Sequence, residues 1–388
     1  MNKLVVSIAQ IAIGTVVFLG VVNSMGTKYT KKIILENGKE FYGFSFGADI
    51  DTVCELVFNT AVVGYQEIIT DPSYMGQAVV LTYPLIGNYG ITAEDNETRT
   101  PTIAGIITRE YNDLPSNFRY TRTLSETLVE NNIVGISGVD TRAITRLLRD
   151  NGTIRCIITS VDTSVEDGIK IIKETPVIRD SVKRVSCKKR WYSRTADFKY
   201  NVVAIDCGIK NRLIRILNKM GCNLTIVPYD ITAEELMALR PDGVVISDGP
   251  GNPEDVPETV ATIKAVLGKL NVMGIGLGNQ IICLALGGKT HKLKHGHIGI
   301  NHPVRNLVTG KIEITSQNHS YGIDAESLKD LPVEILYTSI LDNTVEGLAT
   351  KDGKALCVQF NAEGAPGPED SGYIFDKFME MMEKGGEQ

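Results

Sequence analysis

Apolar and polar positions follow two different patterns along this chain. From residue 200 onward, short apolar runs at 202–206, 224–227, 243–246 and 272–275 recur at spacings of roughly 20–30 residues. Helical periodicity fills the gaps at 211–220, 233–239 and 258–267. Strand–helix alternation of this kind predicts a parallel sheet with helices on both faces. Such a sheet gathers its functional groups where its strands end.

Between residues 30 and 175 the pattern is mainly that of strands, with helical insertions. Segments 32–35 and 40–43 flank Asn37-Gly38, the strongest short hairpin signal. Segments 56–59 and 78–83 are further strands, separated by the loop Thr70-Asp71-Pro72-Ser73-Tyr74. Residues 140–149 predict a helix with Arg142, Arg146 and Arg149 along one side and Arg155 just beyond it. A solvated face is the first reading of that stripe and a partner surface the second. The chain thus divides into an extension over 1–24, a mainly β domain with helices over 25–178, a linker over 179–199 and an α/β domain over 200–388.

The 179–199 stretch is basic and holds the only tryptophan, Trp191. Basic residues interleaved with aromatics can bind single-stranded nucleic acid. No repeat supports that here, and a linker is the better reading. Residues 4–22 are almost wholly apolar and are read as an extension ahead of Met25. A membrane anchor is the alternative, while a cleaved secretory segment is disfavoured by the poor cleavage site at 22–25.

Composition adds little beyond this. A hydrophobic fraction of 43% and a charged fraction of 22% are those of an ordinary globular protein. A net charge of -6 gives no reason to expect a nucleic-acid partner. The seven cysteines are scattered, with no C-x-x-C pair, which favours a reduced, cytoplasmic setting. His291, His295, His297 and His302 crowd one stretch and invite a metal site, but structural or solvent-facing roles are favoured and no metal is assigned.

The chemistry concentrates at residues 271–280, N-V-M-G-I-G-L-G-N-Q. A strand leads into a turn bracketed by Gly274 and Gly278, and an apolar helix follows at 281–286. This is the layout of a turn that holds a nucleophile in strained backbone at a helix start. The central position is Gly276, which has no side chain to react. A plain glycine-rich turn is the other reading. A phosphate loop fails, because neither a third glycine nor a lysine falls in register.

The order of motifs carries more. G-P-G at 249–251, the empty elbow, S-Q-N-H at 316–319 and an acidic tail followed by P-G-P at 366–368 resemble a class I glutamine amidotransferase domain. In the first half, F-N-T-A-V-V-G-Y-Q-E-I-I-T-D-P-S-Y (58–74), L-T-Y-P-L-I-G-N-Y-G (81–90) and G-V-D-T-R-A-I-T-R-L-L-R (138–149) closely resemble the small subunit of carbamoyl phosphate synthetase. The resemblance implies an α/β protein: an N-terminal mainly β domain with helices, then a flavodoxin-like parallel α/β amidotransferase domain. It also implies a heterodimer in which the small subunit hydrolyses glutamine and passes ammonia to a large subunit. That large subunit holds ATP and Mg, serves pyrimidine or arginine synthesis, and leaves no cofactor to this chain.

Residue by residue, the binding half matches. Ser73, Gly249, Gly251, Leu277, Gln280 and Asn318 stand where the family's glutamine contacts stand, and Tyr321 is the expected aromatic. Ser320 departs from the usual glycine, and His319 resembles a family residue near the site. The catalytic half departs. Gly276 replaces the cysteine nucleophile, Asn361 the histidine base and Ala362 a proline; Asn279 stands for a histidine before Gln280, and of the triad only Glu363 remains. The resemblance therefore implies a small subunit with a lost glutaminase centre, bound to a large subunit that uses free ammonia, with the 140–149 helix in the interface. A glutamine-binding pseudoenzyme or sensor, and a conventional glutamine-hydrolysing subunit, are the alternatives. On sequence alone, Gly276→Cys combined with Asn361→His is expected to restore measurable hydrolysis.

Overall fold

A computed structural model describes residues 28–385, and the expectations for 1–24 lie outside the described residues. Among the described residues no helix is long and apolar enough to cross a membrane. The first half closes seven strands into a barrel. Their order is Lys31–Leu35, Glu40–Ser45, Val134–Ser137, Gly105–Ile107, Gln77–Leu81, Thr52–Asn59 and Ile154–Ser160, which returns to the first. The Asn37-Gly38 turn joins the first two as an antiparallel hairpin. Alternate residues such as Ile33, Leu56, Val80, Ile136 and Ile158 meet in one core. The helix Thr141–Asn151 adds Ile144, Leu147 and Leu148 to it. Asp140 starts that helix by accepting the Ala143 N–H, and Arg142, Arg146 and Arg149 all face outward.

The second half is built on a ten-stranded sheet. Its parallel part runs Cys222–Pro228, Tyr200–Asp206, Gly243–Ile246, Asn271–Ile275, Ala355–Val358. Side chains alternate across it: Val203, Ile205, Val244 and Ile246 enter one core, Val202, Ala204 and Val245 the other. Helices Pro257–Val266 and Leu277–Ala285 cover the first face, Asn211–Lys219 and Tyr373–Gly385 the second. Burial on both faces is why these strands are continuous apolar runs. An antiparallel extension follows: Val345–Thr350, Ile312–Ile323, Thr290–Asn306 and Val333–Ser339.

The 179–199 stretch, expected as a linker, connects the two units and carries structure of its own. It forms the helix Ser181–Val185 and the strand Trp191–Ser193, which pairs antiparallel with Cys222–Pro228 at the sheet edge. The barrel also reaches into the second unit. Lys210 precedes the helix Asn211–Lys219 without capping it. The buried Glu97 of the barrel unit does so instead: its carbonyl accepts the Asn211 N–H at 2.8 Å and its carboxylate the Arg212 N–H at 2.9 Å. A carboxylate there meets the positive end of the helix dipole.

Candidate active site

Parallel register brings four strand ends to one edge of the second sheet. Ile246 lies beside Gly274 and Ile275 beside Val358, so the segments after them, 247–253, 276–280 and 359–363, emerge together. Residues 207–210, after Tyr200–Asp206, join the same edge. At Gly276 the chain turns from strand to helix with φ +55° and ψ −111°, a conformation that L side chains rarely adopt. The strained turn is present, and the helix starts at Leu277, four residues before the apolar run at 281–286 suggested.

The space that a side chain at 276 would need is filled. An ideal Cβ on Gly276 would lie 2.0 Å from Asp248 Oδ1 and 2.3 Å from its Cγ. Asp248 follows the strand Gly243–Ile246, and its carboxylate collects the donors of the turn. Oδ1 accepts the N–H groups of Gly249 at 2.8 Å and Leu277 at 3.0 Å. Oδ2 accepts the Ser73 hydroxyl at 3.1 Å, across from the barrel unit. Burial, with Asp71 adding to it, pushes this carboxyl up to about 7 against the pull of Lys210.

Lys210 is the other unforeseen member. The residue is 2% exposed, with its ammonium 2.5 Å from Glu363 Oε1 and 3.8 Å from Asp71 Oδ2. Burial pulls it down, but Glu363, Asp71 and Asp248 together outweigh burial and hold it above its ordinary value. Asn361 lies between the two charges. Oriented by its neighbours, its amide nitrogen donates to Asp248 Oδ2 at 3.1 Å and its oxygen accepts from Lys210 at 3.1 Å. Glu363 Oε2 is buried without a partner. Three carboxylates thus surround one lysine, with no thiol among them.

The residues matched to glutamine contacts fall into two groups. Ser73, Gly249, Gly251, Asn318 and Tyr321 line a cavity of about 440 Å³ between the barrel and the sheet, where Asn318 Nδ2 has no partner. Leu277 and Gln280 are buried in the helix behind it. Gln280 donates to the Tyr321 carbonyl at 2.9 Å and to Gln359 Oε1 at 3.1 Å, and Asn279 donates to the same Gln359 oxygen at 3.0 Å. Ser320 and His319 line the cavity too.

The histidine-rich stretch is the strand Thr290–Asn306, on which His291 and His295 are exposed and His297 is buried. His297, His319 and Glu346 have ligand atoms within 4.8 Å of one another, a spacing a metal could use. Both His297 nitrogens already face carboxylates, Nδ1 toward Glu346 Oε1 at 3.2 Å and Nε2 toward Asp342 Oδ2 at 3.0 Å. That arrangement holds an imidazolium, not a lone pair offered to a metal. Burial lowers the His297 pKa, but Glu346 and Asp342 raise it further, for a net upward shift. The ion pair therefore stabilises fully below the unfolded histidine value and fades as pH rises through the raised one. His297→Ala is expected to cost about 3 kcal/mol at pH 6, by leaving Glu346 buried without its cation. The cost should shrink at pH 9. Urea unfolding at both pH values checks this, and an equal cost at both would refute the charged pair.

Two family models match the chain, one in each unit. Residues 33–158 match the family described as carbamoyl-phosphate synthase small chain, CPSase domain, and residues 203–381 match glutamine amidotransferase class-I. The carbamoyl phosphate synthase small chain of Staphylococcus epidermidis is 47% identical over 350 residues, covering 90% of this chain and 95% of its own. The pyrimidine-specific small chain of Bacillus subtilis is 46% identical over 353 residues, covering 91% and 96%. The crystal structure of a glutamine amidotransferase from Thermotoga maritima is 18% identical, covers 49% of this chain and 86% of its own, and has a TM-score of 0.35.

Proposed function

Because this chain belongs to the carbamoyl phosphate synthase small chain family, we propose that it binds a large synthetase subunit without hydrolysing glutamine itself. The observation that carries this is residue 276, a glycine in a turn whose strained backbone is kept. Neighbouring thiols offer no substitute. Cys207, at the same sheet edge, is raised well above the usual thiol value by burial, then by Asp206 and Asp248. Burial pushes Cys283 up to about 12. A thiol held protonated is a poor nucleophile, and the amide of Asn361 accepts no proton near neutral pH.

On this reading the large subunit holds ATP and magnesium and draws on free ammonia, and the outward arginines 142, 146 and 149 face it. Pyrimidine synthesis is the pathway we assign, by analogy with the name of the Bacillus subtilis relative, with arginine synthesis the alternative. A second reading, a pseudoenzyme that binds glutamine intact, is favoured by the unpartnered Asn318 Nδ2 beside the cavity.

Co-purified with the large subunit, the protein is expected to support carbamoyl phosphate synthesis from ammonium and not from glutamine. Glutamate release should lie on the order of 10⁶-fold below that of an intact nucleophile–base pair. Synthesis driven by glutamine, with glutamate formed in step, would overturn the proposal.

A further inference from the structure

Donors at three matched glutamine-contact positions are already spent. Ser73, Gly249 and Leu277 stand at matched glutamine-contact positions, and all three donate to one side chain, Asp248. Two of these donors are backbone N–H groups, one of them the first N–H of the helix Leu277–Ala285, and both converge on Oδ1. Such a pair is what an acyl-transfer site uses to hold a carbonyl oxygen as negative charge develops on it. Here the oxygen comes from the protein. The same oxygen takes the volume that a Cβ at position 276 would need, 2.0 Å away. Asn361, at the matched base position, adds a further bond to the other carboxylate oxygen.

We propose that the Asp248 carboxylate is the resident occupant of the glutamine carboxamide subsite, closing it so that the wild-type protein binds no glutamine at alkaline pH. This rests on reading the second unit as an amidotransferase fold without its glutaminase. A neutral carboxamide entering the subsite must displace a charged acceptor from several donors, and hydrogen bonds to charge are about twice as strong as neutral ones. The carboxylate is 3% exposed, so displacing it breaks bonds to Gly249, Leu277 and Ser73 at once. The cavity beside it, with the free Nδ2 of Asn318, still accommodates the amino-acid end of a ligand. Asp248 therefore sets which ligands enter: those without a carboxamide oxygen to seat.

Isothermal titration with L-glutamine at pH 8 tests this on the full chain. The wild type is expected to give no saturable heat at millimolar ligand. Asp248→Ala, and Asp248→Ser as a second small replacement, are expected to bind glutamine about tenfold or more tightly than the wild-type limit, since three donors are released. Circular dichroism confirms folding of each variant. Saturable binding to the wild type, or folded variants that remain as blind to glutamine as the wild type, overturns the proposal. Intact glutamine recovered from a wild-type complex would defeat only the closed subsite. Glutamate formed by the wild type would defeat the proposed function itself.

Discussion

The double variant Gly276→Cys/Asn361→His is expected to hydrolyse no glutamine, and adding Asp248→Ala to it is expected to produce measurable turnover. Sequence alone pointed to the double variant as sufficient, because nucleophile and base act as a unit. Asp248 changes that expectation. A cysteine Cβ at 276 meets the carboxylate oxygen at 2.0 Å, so either the turn deforms or Asp248 is driven out of its bonds to Gly249, Leu277 and Ser73. A carboxylate held against the sulfur would also keep the thiol protonated. Removing Asp248 frees the space and both N–H donors together. An imidazole at 361 then finds Glu363 Oε2 buried and without a partner, ready to orient it. Turnover should stay well below that of an intact family member, since Asn279, Ala362 and Ser320 also depart from the pattern. Glutamate release from the double and triple variants decides the matter. A double variant as active as the triple would show that Asp248 moves aside at no cost.

Lys210→Met should be the most destabilising single substitution at this edge, by about 3–5 kcal/mol. The methionine fills similar volume, so the loss reports the charge. Without the ammonium, Asp71, Asp248 and Glu363 face one another in the interior with no cation. Asp248 is already pushed up to about 7, and the loss should grow as pH rises past that value and its carboxyl ionises with no cation beside it. For a unit of this size such a loss lowers the melting temperature by about 10 °C. Thermal unfolding at pH 5.5 and pH 8 measures both features. A shift of less than a degree at either pH would mean that Lys210 is not what neutralises the cluster.

Much of the second sheet was legible because parallel strands buried on both faces must be apolar throughout, and the runs at 202–206, 243–246 and 272–275 have no other use. The hairpin at Asn37-Gly38 was legible for a local reason, a turn that few dipeptides favour. The closure of the barrel was not. Gly105–Ile107 lies between strands distant in sequence, and nothing local records that pairing. The strand Ile312–Ile323 was obscured by its own polarity, carrying a glutamate, a glutamine, an asparagine and a histidine that read as surface. At the site, matching positions to a family showed which groups were absent, Gly276 and Asn361 above all. It did not show what fills the room they leave. Asp248 stood in plain view within S-D-G-P-G-N-P. Its meaning depends on a contact between two loops 28 residues apart (276 − 248), which only the register of Ile246 beside Gly274 creates.

Glu97 makes the two halves poor candidates for separate lives. Expression of residues 200–388 alone would strip the helix Asn211–Lys219 of the carbonyl and carboxylate that satisfy its first N–H groups. The same truncation would remove Asp71 from beside Lys210 and the Ser73 hydroxyl from beside Asp248. A fragment beginning at residue 200 would be missing pieces of its own interior, whereas a chain nicked between residues 186 and 190 keeps these contacts and should stay together through gel filtration until denaturant is added.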